Sequence, residues 1–165
     1  MTSELRECGF DVDGDWFRYR AGAVILDQGR VLMARNEVDP YHYSIGGGVR
    51  HGETAEDAVR REVLEETGVA MEIDRLLFVH QNFFDGTGSS GLTGRHCHEL
   101  ALYFLMRYSP TMRLAGASTT LTGAREWHEW VPLERYGIDR PAFPTFFATE
   151  LNHLPGRPGL ITSRE

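Results

Sequence analysis

"GGGVRHGETAEDAVRREVLEETGV", Gly46 to Val69, is the stretch on which the reading of this 165-residue chain turns. Between Glu53 and Glu66 it sets six carboxylates in fourteen residues. Like charges that close repel one another, so the cluster needs cationic partners. Thr54 followed three residues later by Asp57 makes a capping box, which predicts a helix starting at about Ala55. Gly68 is its stop signal. On that helix Ala55, Val59 and Val63 recur at steps of four and form an apolar stripe for the core. Glu62, Glu65 and Glu66 fall within roughly a 100° arc on a different face. Arg61 precedes Glu65 by four residues and can neutralise or orient one of them. The charge left over suits hard divalent cations, which take oxygen ligands and, as Mg²⁺, bind substrate phosphate. On charge alone, a solvated Glu-rich face with no ligand is the competing reading.

The wider spacing decides between the two. Gly47, five residues, Glu53, seven residues, then Arg61-Glu62-Val63-Leu64-Glu65-Glu66-Thr67-Gly68-Val69 resembles the Nudix box at nine fixed positions. Outside the box a preceding strand and "EWVPLERY", Glu129 to Tyr136, look Nudix-like as well. Ile45 departs from the pattern, since many family members carry proline there, and this bears on loop rigidity more than on chemistry.

The resemblance implies an α/β fold, an αβα sandwich with a mixed β-sheet between helices. It also implies hydrolysis of a nucleoside diphosphate linked to another group, with Mg²⁺ or Mn²⁺ as cofactor. Divalent ions on the diphosphate oxygens spread the charge that builds at phosphorus, and they acidify the attacking water. Carried over position by position, Glu62, Glu65 and Glu66 are metal ligands, with Glu65 and Glu66 also counted as catalytic. Arg61 orients the helix carboxylates. Glu53, at the helix entrance, joins the metal set through water or fixes the loop. Gly46, Gly47 and Gly48 let backbone approach the substrate.

In many family members the general base lies outside the box, and two residues compete for that role. Glu126 precedes Trp130 by four residues, in a segment read as a loop ahead of the last strand. Glu99 opens the strand His98 to Arg107, where alternation sets His98, Leu100, Leu102, Phe104 and Met106 on a core-facing side and Glu99, Ala101 and Tyr103 on the side lining the cleft. The bland reading of either is an exposed carboxylate. His96 and His98 alternate with Cys97, but a histidine pair without further ligands reads as packing or hydrogen bonding rather than zinc.

The rest of the chain bounds the answer. Its length and its 41% hydrophobic and 25% charged residues fit one globular domain spanning residues 1–165. There is no run of eighteen apolar residues, and Met1 to Phe10 lacks a signal-peptide layout, so a cytoplasmic location without membrane contact is expected. Cys8 and Cys97 read as reduced thiols. The net charge of −7 disfavours a nucleic acid polymer, capped RNA included, and points to a small nucleotide bound through metal. A homodimer is compatible with the sequence. Phe17 to Leu26 and Arg30 to Ala34 flank Asp27-Gln28-Gly29 as a hairpin. Leu76 to Phe84, His98 to Arg107 and Glu129 to Val131 read as strands. Asp85 to Arg95, with four glycines in eleven residues, reads as a flexible connection. Ala142 to Leu151 reads as a second helix. Phe83, Phe84, Tyr41, Tyr43 and Trp130 are candidates for stacking a base. A proline or tyrosine marking particular substrates about fifteen to seventeen residues past the box is absent from Phe83 to Thr87. A module of this fold that senses a nucleotide without cleaving it is the alternative, disfavoured because a pure binder has no need of the mutually repelling carboxylates.

Overall fold

A computed structural model describes residues 6–87, 91–120 and 123–165. In chain order the elements are β1 (Gly9–Val12), β2 (Asp15–Val24), β3 (Leu26–Asp27), β4 (Arg30–Asn36), β5 (His42–Ser44), β6 (Gly46–Gly48), α1 (Ala55–Thr67), β7 (Ile73–Asp85), β8 (His96–Met106), β9 (Ser118–Thr119), β10 (Arg125–Pro132), a 3-10 turn at Leu133–Arg135, β11 (Ala142–Phe143), α2 (Phe147–Glu150) and β12 (Gly159–Arg164). The strands form two mixed sheets. The first runs β1-β2-β8-β7-β12 with β6 also on β2, and the second runs β11-β5-β4-β10-β9 with β3 on β4. Pairing of β2 with β8 and of β7 with β12 is parallel, while β7 with β8 is antiparallel. This is the α/β Nudix-like architecture, with its mixed β layer divided in two.

The first helix follows its local signals. Thr54 Oγ1 accepts from the Asp57 amide at 3.1 Å, and Gly68 closes the helix at φ 72° with its N–H donating to the Leu64 carbonyl. That positive φ is the left-handed cap for which glycine is suited. Ala55, Ala58, Val59 and Val63 are buried against Ala21, Ala23, Ile45 and Phe104. Burying Val59 and Val63 contributes about 1.5–3 kcal/mol each, which pins the carboxylate face in one orientation. Ile45 is fully buried, and its carbonyl accepts from the Ala23 amide at 2.9 Å.

Two sequence readings need correction. The hairpin at Asp27-Gln28-Gly29 is confined to β3 and β4, pairing Leu26 with Val31 and Asp27 with Arg30. Gln28 and Gly29 both have positive φ, as a tight hairpin turn requires. Phe17 to Val24, however, belongs to the other sheet, because the apolar run Ala21–Val24 is buried between β8 and β6. Ala142 to Leu151 is not one helix either. Pro144 lacks an amide and pushes its predecessor towards extended backbone, so Ala142–Phe143 pairs with β5 and only Phe147–Glu150 is helical.

The strand readings at Leu76 to Phe84, His98 to Arg107 and Glu129 to Val131 lie within β7, β8 and β10, apart from Arg107, one residue past β8. The alternating faces of β8 are both covered. Leu102, Phe104 and Met106 pack with α1, and Ala101, Tyr103 and Leu105 pack with Phe147 and Leu151. Residues 88–90 of the glycine-rich connection lie outside the described residues. No described helix is long and apolar enough to cross a membrane.

Candidate active site

The box brings loop and helix together through one arginine. Arg61 donates to both Glu53 oxygens, Nε to Oε1 at 2.8 Å and Nη2 to Oε2 at 2.9 Å, and Nη2 also reaches the Gly48 carbonyl at 3.1 Å. Nη1 bonds Glu62 and only grazes Glu65 at 3.4 Å. The expected i, i+4 partner is therefore the weakest of its contacts, and Glu53 is the main one. A bidentate guanidinium–carboxylate pair is both strong and directional, so Glu53 fixes the loop to the helix. Its second oxygen also accepts from the Arg50 amide at 3.0 Å. Hydrogen bonding from Arg61 holds the Glu53 carboxyl below its ordinary range, and Glu53 in turn raises Arg61.

The three helix glutamates are not equivalent. Glu62 and Glu66 turn inward, with side chains 14% and 15% exposed, whereas Glu65 is 52% exposed. Burial raises the Glu62 carboxyl, with Glu66 and Glu65 adding to the rise and Arg61 opposing it. Glu66 Oε1 accepts from the Gly46 amide at 3.0 Å. At Gly47 a Cβ would meet the Glu62 carboxyl carbon at 2.5 Å, so only glycine lets backbone and carboxylate lie this close.

From the second sheet, β10 presents Glu126 and His128 towards the helix. Glu66, Glu126 and His128 offer ligand atoms that all lie within 4.8 Å of one another. Glu126 lies in strand β10 rather than in a loop ahead of it, and Tyr43 Oη donates to its Oε2. Burial and that bond raise the Tyr43 hydroxyl. A helix carboxylate facing a strand carboxylate, with an imidazole beside them, fits a divalent cation, which takes oxygen and nitrogen donors.

Glu99 sits elsewhere. It is buried and gripped by Arg18 at 2.9 and 2.6 Å, and although burial pushes its carboxyl up, Arg18 and Arg20 outweigh this and hold it low. Among the stacking candidates, Tyr41 packs on Tyr43 and Phe143, Trp130 on Tyr108, Phe83 on His98, and Phe84 on Trp16. His96 bonds Asp85 at 3.0 Å and His98 packs between Phe17 and Phe83, in line with packing roles. Both cysteines are free thiols.

Two site residues escaped the sequence reading. His128 is one, although its alternation with Glu126 and Trp130 marks one strand face. Arg20 is the other. Its buried guanidinium donates to Ser44 Oγ at 2.9 Å, the Ser44 carbonyl at 2.7 Å and Tyr103 Oη at 3.1 Å. Burial disfavours its charge, but Tyr103, Glu99, Glu66 and Glu62 outweigh that, so it offsets part of the site's repulsion from behind. Nothing in its local sequence signalled this.

With that geometry in view, the chain belongs to the Nudix family: the NUDIX domain model matches residues 16–148. It is 43% identical over 63 residues to a MutT-like protein of Streptomyces ambofaciens, covering 38% of this chain and 40% of that one. It is 38% identical over 73 residues to an RNA pyrophosphohydrolase of Serratia proteamaculans, covering 44% and 42%. The chain thus spans about 40% of the length of these curated relatives. A MutT NUDIX hydrolase from Burkholderia pseudomallei aligns with TM-score 0.50 and 26% identity, over 72% of this chain and 84% of that one. A MutT protein from Bacillus halodurans aligns with TM-score 0.61 at 15% identity, over 89% and 90%, a likeness of fold.

Proposed function

We propose that this protein is a Nudix pyrophosphohydrolase that cleaves the diphosphate bond of a small nucleoside diphosphate linked to another group, with Mg²⁺ or Mn²⁺. The observation that carries this reading is the grouping of Glu66 with Glu126 and His128 across the two sheets, with Glu62 against Gly47 and Glu66 bonded to the Gly46 amide. A bound divalent cation supplies charge neutralisation on the phosphate oxygens and lowers the pKa of the attacking water. The protein's own groups do the rest. Glu62 and Glu66 hold the cation, and half-exposed Glu65 completes the set from the solvent side. Arg61 and Glu53 lock the loop against the helix, so the glycine backbone can approach the diphosphate. Glu126 takes the proton of the attacking water, and the Tyr43 hydroxyl on Oε2 keeps that carboxylate aimed into the site. Glu99, paired with Arg18, serves the sheet instead.

The net charge of −7 favours a small substrate over a phosphate polymer. A likeness to an RNA pyrophosphohydrolase makes a 5′-triphosphorylated oligonucleotide a necessary arm of the test. The experiment is turnover of nucleotide sugars, dinucleotides, nucleoside triphosphates and that oligonucleotide, each with Mg²⁺ and with EDTA. Metal-dependent release from a small nucleotide is expected, and Glu66→Gln should lower kcat/KM by about 100-fold or more. Binding without turnover across the panel would make the chain a sensor module, and full activity in EDTA would refute the metal assignment.

A further inference from the structure

We propose that His128 is a nitrogen ligand of the divalent cation, making this a mixed carboxylate–imidazole site. The proposal rests on the metal-dependent reading above but concerns a residue outside the box. Its side chain is only 4% exposed, and among the described residues neither ring nitrogen has a hydrogen-bond partner. A buried polar group without a partner is costly, so an imidazole side chain buried and bare calls for a ligand. The position of Nε2 says which. It lies 3.5 Å from Glu66 Oε2, without making a hydrogen bond, and it groups with Glu66 and Glu126 within 4.8 Å. Donors that share a cation at about 2.1 Å sit roughly 3–3.5 Å apart, which matches the spacing of Glu66 and His128. Strand alternation points Glu126 and His128 to the same side of β10, while Ala34, the cross-strand neighbour of His128 on β4, is small and buried and supplies no polar partner. Imidazole suits first-row transition metals better than Mg²⁺, so the mixed set should favour Mn²⁺ over Mg²⁺ more than carboxylates alone would.

The test is pulsed electron paramagnetic resonance of the full chain loaded with Mn²⁺ alone. The expected result is a ¹⁴N coupling that becomes a ¹⁵N coupling in protein labelled with ¹⁵N-histidine. In His128→Gln, checked for folding by circular dichroism, the coupling should vanish, Mn²⁺ should bind at least about tenfold more weakly, and the ratio of Mn²⁺ to Mg²⁺ affinity should fall. If that variant does not fold, the labelled wild type decides, because His128 is the histidine grouped with these carboxylates among the described residues. Bound Mn²⁺ without nitrogen coupling, or coupling that survives in folded His128→Gln, overturns the proposal and leaves the carboxylate site intact; His128 would then be an ion-pair partner of Glu66. No Mn²⁺ binding in the wild type overturns the metal reading and this proposal together.

Discussion

Gly47 shows how much of the site hangs on single atoms. A methyl group there would lie 2.5 Å from the Glu62 carboxyl carbon, so Gly47→Ala must push Glu62 away from the loop or the loop away from β2. Glu62 cannot leave cheaply, because Arg61 bonds it while gripping Glu53 and the Gly48 carbonyl. The expected outcome is a loss of at least about tenfold in kcat/KM with a stability change of about 1–3 kcal/mol, since the strain is local. Steady-state kinetics and urea unfolding of the variant check this, and unchanged kinetics would mean that the close approach has no catalytic use. At this scale the sequence was legible where chemistry is local. Thr54 and Gly68 cap α1 as their types require, and Val59 and Val63 are buried. The main partner of Arg61 was not legible, because Glu53 lies eight residues back, beyond helical spacing, and meets it only through the loop. Arg20 depends on neighbours far along the chain and nothing near it in sequence announced its role, whereas His128 shares a strand face with Glu126 but meets Glu66 only through the fold.

Among the elements, β10 carries two kinds of chemistry on its two faces. Glu126 and His128 point to the site, while Glu129 bonds His42 at 2.7 Å, Trp127 at 2.9 Å and Arg35 at 3.0 Å. Burial pushes the Glu129 carboxyl up, but those three donors outweigh it and bring it down to about 2. A depressed carboxyl stabilises the fold at pH above its unfolded value of about 4.3. That contribution is lost as pH falls through about 2. Comparing wild type with Glu129→Gln isolates this group from the other carboxylates that titrate in the same window. The difference in melting temperature should be largest above about pH 5 and shrink steadily towards pH 2, and parallel curves would show that Glu129 is not held low. The elements themselves were unequally readable. Strands β7, β8 and β10 announce themselves by β-branched and aromatic content, whereas β12 has a short, half-exposed alternation that makes sense only once β7 is beside it. The 142–151 segment has helical spacing on paper, yet Pro144 and the open edge of β5 turn its start into strand.

For the whole molecule, the partition into two sheets could not be read from the sequence, because pairing partners such as β2 with β8 or β10 with β4 are dozens of residues apart. The partition has a mechanical consequence. Glu66 rides on α1, which packs on the first sheet, while His128, and the charge of Glu126 that draws a cation without ligating it, come from the second. A cation between them would therefore act as a clip across the two layers as well as a reagent, and it would relieve the repulsion of carboxylates that Arg20 and Arg61 only partly offset. A ligand that binds the native state alone stabilises it by about 2.7 kcal/mol at a hundred times its Kd. In a domain of this size that is roughly 5–10 °C of melting temperature. Mg²⁺ or Mn²⁺ should produce such a rise in thermal unfolding and EDTA should remove it. Glu126→Gln makes the argument specific: if the clip spans both sheets, the metal-free variant should melt at or above the metal-free wild type, because one repelling charge is gone, while its gain on adding metal should be less than half as large. A full metal-induced rise in Glu126→Gln would mean that the helix carboxylates bind the ion by themselves, and β10 would then contribute to the reaction without tying the layers together.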